Sequence, residues 1–168
     1  MKTVLALSLL MSTLLAVPLE GELIHPKVVR ECLEKPTIKS QLKVMTDVNP
    51  YYLRGDFDGD GLVDYAVSVQ GIKTRRNGVL ICTGKNKAVA LGAINSLKTP
   101  FSDKPNDNFA SPNWQVMTKK EALEVYNYSS DKPVRVALPK GETIAMTWED
   151  GVCLIYWDGS RYRWGCGQ

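Results

Sequence analysis

The feature that most constrains this chain is an eleven-residue run, Gly55-Asp56-Phe57-Asp58-Gly59-Asp60-Gly61-Leu62-Val63-Asp64-Tyr65. Four carboxylates fall within it at alternating and then wider spacing, around two glycines. Clustered carboxylates repel one another unless a cation sits among them. The residues on either side, Tyr51-Tyr52-Leu53-Arg54 and Tyr65-Ala66-Val67-Ser68-Val69, alternate as strands do, so the run is expected to join two strands of a hairpin spanning 51–70. Calcium takes roughly six to eight hard oxygens at about 2.3–2.6 Å, whereas magnesium demands a smaller octahedral shell. The spacing therefore predicts a calcium cage made by Asp56, Asp58, Asp60, the backbone carbonyl of Leu62, and Asp64, with Gly61 taking the sharp turn. The competing expectation is a metal-free turn whose Asp side chains bond their own backbone.

Two further features set the compartment and the frame. Met1-Lys2-Thr3 followed by the apolar run Val4 to Val17 has the form of a secretory signal and is short for a membrane span. We assign residues 1–18 to a signal peptide, with cleavage between 16 and 21, and residues 22–168 to a single β-rich domain; the product is expected to be secreted or periplasmic. The four cysteines, Cys32, Cys82, Cys153 and Cys166, then favour one or two disulfides in any of three pairings. No C-x-x-C pair occurs and there is one His, which argues against structural zinc.

The predicted fold class is mainly β with a short N-terminal helix (α+β), an antiparallel sheet built of hairpins. Val28, Val29, Cys32 and Leu33 recur at helical spacing over Lys27–Glu34, and Pro36 is expected to stop that helix. Strands are predicted at 51–54, 65–70, 79–83, 88–91, 114–117, 134–138, 143–148, 152–157 and 161–164. Lys119–Tyr128 reads either as a helix capped by Thr118 and Glu121 or as a strand. Asp150-Gly151 and Asp158-Gly159 read as two-residue hairpin turns. Those registers place Trp148, Cys153 and Trp164 side by side on a core face, Met146, Ile155 and Tyr162 next to them, and Ile144 with Trp157. Cys166 falls diagonal to Cys153 on that face. The opposite face is expected to be covered in part by the N-terminal helix. Residues 99–113, rich in Pro, Asn, Asp and Ser, read as a long loop.

In its spacing and its strand flanks, Gly55–Val67 resembles the D-x-D-x-D-G-x-x-D calcium loop of FG-GAP and VCBS-type repeats, and the resemblance covers this hairpin alone. It implies calcium ligation by Asp56, Asp58, Asp60 and Asp64, with a structural purpose in an extracellular protein. The loop also matches the first nine positions of an EF-hand, but Val67 stands where that motif needs a bidentate Glu. No second copy of the loop exists in the chain, so a full propeller is excluded. The last strands resemble the ending of small exported bacterial proteins.

A net charge of +3 with scattered Lys and Arg implies neither nucleic acid nor an anionic membrane as partner. The functional expectation is an exported, monomeric calcium-binding domain of binding or structural role, without catalytic residues, meeting a protein or a cell-envelope component. The alternatives are a carbohydrate- or peptide-binding module, for which Trp114 is the free aromatic, and a carboxylate-based hydrolase. The latter would draw on Glu121, Glu124, Asp131, Glu142 or Glu149, because His25 near the start is a poor partner for a nucleophile. Asn127-Tyr128-Ser129 formally matches a glycosylation acceptor.

Overall fold

Pro26 ends the extended entry to the first helix, α1 (Lys27–Leu33), which buries Val29 and Cys32 on one side. Proline has no N–H to lose at a helix start, and Pro36 therefore opens a second short helix, α2 (Pro36–Lys39), where the sequence reading had only a stop. The computed structural model describes residues 25–94, 97–99, 102–106, 113–128, 139–148 and 151–167. The predicted signal peptide, strand 134–138, the two large apolar residues of the long loop (Phe101 and Phe109), Asp131, Glu149 and Ser129 of the glycosylation match lie outside the described residues.

The first sheet holds β1 (Leu42–Val44), β2 (Tyr52–Gly55), β3 (Asp64–Gly71), β4 (Asn77–Cys82) and β5 (Ala88–Gly92), all antiparallel. β1 and β2 lie end to end along one edge of β3, β1 opposite residues 69–71 and β2 opposite 64–67, while β4 takes the other edge. Because strand side chains alternate, Val67, Val69, Leu80 and Cys82 face α1 and α2. Ala66, Val79, Ile81 and Leu91 face the opposite way. Both sides of β3 and β4 are thus covered, which explains their nearly unbroken apolar sequence. A disulfide joins Cys32 of α1 to Cys82 of β4, so one of the three pairings open in the sequence is selected.

The second sheet has the order β11 (Tyr162–Gly167), β10 (Gly151–Trp157), β9 (Thr143–Trp148), β8 (Asn113–Met117). Its inner face carries Trp114, Ile144, Met146, Ile155 and Trp164 against Leu53, Ala66 and Ile81 of the first sheet. Both predicted hairpin registers are displaced by two residues. Gly151 pairs with Trp148, and Trp157 pairs with Tyr162, so that the second turn runs from Asp158 to Arg161. An even displacement preserves the alternation of faces, so the predicted core face survives while every neighbour on it changes. Ile144, Ile155 and Trp164 form one row, and Met146, Cys153 and Cys166 another. Cys153 thus stands directly across from Cys166, not diagonal to it, and no described cysteine is free.

The outer face of this sheet is covered by α3 (Lys119–Tyr128), not by the N-terminal helix: Ala122 and Val125 pack on Ala145, Leu154 and Tyr156. A capping box resolves the ambiguity of this segment. The Glu121 carboxylate accepts from the Thr118 N–H at 2.7 Å and from its hydroxyl at 2.8 Å, and the Thr118 hydroxyl oxygen accepts from the Glu121 N–H at 3.3 Å. Across the start of the predicted long loop, β6 (Leu97–Thr99) and β7 (Ser102–Asn106) pair as a hairpin. The result is a mainly β domain of two facing antiparallel sheets with helices on the outside. Among the described residues no helix is long and apolar enough to cross a membrane.

Candidate metal centre

Gly55 is the last residue of β2 and pairs with Asp64, the first of β3, so residues 56–63 form the connecting loop. Phe57 anchors it: only 1% exposed, its ring enters the core between the sheets. With that side chain fixed inward, Asp56 and Asp58 are held on either side of the anchor. Gly59 (φ +72) and Gly61 (φ +85) take left-handed conformations that suit glycine. At Gly59 a Cβ would also come within 2.6 Å of the Lys140 backbone.

The loop is wired by its own carboxylates. Asp56 accepts from the N–H groups of Asp60 and Gly61, each at 3.0 Å. The Asp60 N–H also reaches Asp58 at 3.2 Å, and Asp60 accepts from the Leu62 N–H at 2.8 Å. Asp64 is fully buried. Its Oδ2 accepts from Phe57 N–H at 2.8 Å and Asp58 N–H at 3.2 Å, and its Oδ1 from Gly84 N–H at 2.9 Å. The last bond ties the loop to the β4–β5 turn.

One carboxylate oxygen from each of Asp56, Asp58 and Asp64 lies within 4.8 Å of the other two. Two oxygens bound to one ion are at most twice the metal–oxygen distance apart, about 4–5 Å for common divalent cations, so the three groups lie within reach of a single metal ion. The fourth predicted carboxylate is turned aside: Asp60 pairs with Lys85 of the β4–β5 turn at 2.9 Å. That bond holds Asp60 below the usual carboxylate range and raises Lys85. Leu62 donates its N–H within the loop and exposes 45% of its surface. Burial, and next the charge of Asp60, pushes Asp58 above the ordinary value. Asp64 is also raised, first by burial and then by Asp58, against the bonds it accepts. Two carboxyl groups so placed gain from a cation.

Three contributions from distant segments were not legible in the sequence. Glu142 accepts from the Asp56 N–H at 2.8 Å and returns its own N–H to the Asp56 carbonyl at 2.7 Å. Gly141 seats on that carbonyl so closely that a Cβ would fall 2.1 Å from it. Tyr162, 7% exposed, brings its hydroxyl from the second sheet; the oxygen has no hydrogen-bond partner among the described residues. Burial, followed by the carboxylates of Asp64, Asp58, Asp56 and Asp60, pushes that hydroxyl well above the usual phenol range.

Other candidate residues have structural duties. Trp114, expected to be free, is 5% exposed and donates from Nε1 to the Pro50 carbonyl at 2.7 Å. It was misread because nothing local announced that β8 would close over the core. Glu121 caps α3, Glu124 lies 3.9 Å from Lys120, and His25 sits beside the Tyr52 ring. No protein-family model, curated protein or solved structure matches the chain. Fold and site therefore define the class by themselves: a two-sheet, helix-flanked β domain whose β2–β3 loop presents an acidic triad able to hold a metal ion.

Proposed function

We propose that this chain is an exported, non-enzymatic calcium-binding domain. The observation that carries the reading is the convergence of Asp56, Asp58 and Asp64 within one ion's reach. Calcium tolerates an irregular shell filled out by carbonyls and water, as a loop with three close carboxylates requires; magnesium does not. The loop's resemblance to the FG-GAP and VCBS-type calcium loop supports the same ion, with Asp60 as the further ligand that pattern implies and the Leu62 carbonyl as the one the loop's spacing adds. The Cys32–Cys82 bridge suits an oxidising compartment, and the signal-like start suits secretion or the periplasm. There the ion is plentiful, and a site of millimolar-range affinity is filled. Bound calcium locks the β2–β3 hairpin, while a monomeric domain offers its surface to a protein or envelope component.

The test is thermal unfolding in calcium, in magnesium and in chelator, with the double variant Asp58→Ala, Asp60→Ala alongside. At a hundredfold excess over the dissociation constant, calcium adds about 2.7 kcal/mol. In a domain of this size that raises the melting temperature by roughly 5–10 °C. The rise is calcium-selective and vanishes in the variant; equal curves in calcium and chelator would refute the proposal.

A further inference from the structure

The buried hydroxyl of Tyr162 has no assigned purpose. A phenol oxygen withdrawn from water without a hydrogen bond is costly, and such groups in folded proteins call for an explanation. Tyr162 opens β11 directly across from Trp157, the two rings meeting edge to face with centroids 5.0 Å apart. The Trp157 carbonyl accepts from the Lys140 N–H at 2.8 Å. Lys140, Gly141 and Glu142 then lie directly on the acidic loop, at Gly59 and at the Asp56 backbone. The end of the second sheet is therefore built against the metal centre. The Tyr162 ring packs in the same core cluster as Phe57, the anchor of the acidic loop.

Three carboxylates do not complete a calcium shell of roughly six to eight oxygens, and water commonly supplies part of the remainder. We infer that the Tyr162 hydroxyl oxygen accepts a hydrogen bond from a water in the ion's shell, so that calcium links the second sheet to the β2–β3 hairpin. This rests on the calcium reading above. An acceptor there holds a hydrogen of the water outward and keeps its lone pair on the cation, and the ion in turn gives the buried hydroxyl its partner. Tyr162 is thus a positioning residue, acting on the ion through water.

The experiment compares wild type, Tyr162→Phe and Tyr156→Phe by calcium titration calorimetry and by melting in chelator. Tyr156 lies on the opposite face of the same sheet, under α3, and controls for a general loosening. For Tyr162→Phe the calcium dissociation constant is expected to rise about tenfold, the scale of one lost hydrogen bond. In chelator its melting temperature is expected to be unchanged or higher, because an unpaired buried hydroxyl has been removed. Tyr156→Phe leaves calcium affinity unchanged. Equal affinities for Tyr162→Phe and wild type would overturn the inference and leave the calcium reading intact. So would an equal loss in both variants, or a lower melting temperature of Tyr162→Phe in chelator. Absence of calcium binding by wild type would overturn both.

Discussion

Replacing Asp64 by alanine tests the acidic loop without any metal. The wild-type side chain is fully buried and accepts three backbone N–H bonds, from Phe57, Asp58 and Gly84. Alanine removes every acceptor. The Phe57 donor is buried, and leaving it unpaired costs about 2 kcal/mol; the Asp58 and Gly84 donors are only partly buried, can recruit water, and cost about 0.5–1 kcal/mol each. Against this stands a relief, since burial and the charge of Asp58 both disfavour the ionised Asp64. The net loss therefore falls short of the roughly 3–4 kcal/mol to which the three donors sum, and is expected at about 2–3 kcal/mol. The assay is urea unfolding at neutral pH in chelator. With a slope near 2 kcal/mol per M, the midpoint falls by about 1–1.5 M at unchanged slope. An unchanged midpoint would refute the reasoning, because it would mean that the three N–H groups are as well satisfied by water as by the carboxylate.

Two further outcomes are expected. Asp158 accepts from Ser160 N–H and hydroxyl, each at 2.7 Å, from Arg161 N–H at 2.9 Å and from Arg163; burial pushes it up, but these bonds outweigh burial and hold it well below the usual carboxylate range. A folded value below the unfolded one means stability present above the unfolded value, near pH 4, and lost as pH falls below it. Asp158→Asn should therefore lose about 1–3 kcal/mol at pH 7 and show a shallower acid limb than wild type in denaturant titrations from pH 7 to 2; parallel limbs would count against it. Replacing both Cys32 and Cys82 by serine opens a bridge between residues 50 apart in sequence. The loop-entropy estimate for that length is about 4 kcal/mol, read as a lower urea midpoint, and a loss below about 1 kcal/mol would show that the unfolded chain is not restrained by this link.

What could be read from the sequence was whatever depends on neighbours along the chain. The acidic loop and its strand flanks were legible because Asx bonds, glycine turns and strand alternation are local. Asp60 N–H to Asp58, Leu62 N–H to Asp60 and the left-handed Gly59 and Gly61 all lie within a few residues. The core face of the second sheet was legible for a different reason. Side chains alternate with period two, so an error of two residues in both turns left Ile144, Met146, Ile155, Tyr162 and Trp164 facing inward.

Long-range contact decided the rest. Cys32 meets Cys82 only because α1 lies across the back of β4, and Cys153 faces Cys166 only because the turn at Asp158 holds four residues, its carboxylate bonding Ser160 and Arg161. Lys85 draws Asp60 out of the carboxylate triad across the β4–β5 turn. Glu142 reaches the Asp56 backbone over 86 positions of sequence. The sequence by itself determined a β-rich domain with a carboxylate loop at a hairpin's end. Which oxygens converge there was settled by packing, because a side chain's final direction depends on surfaces that exist only once two sheets and three helices have closed on one another.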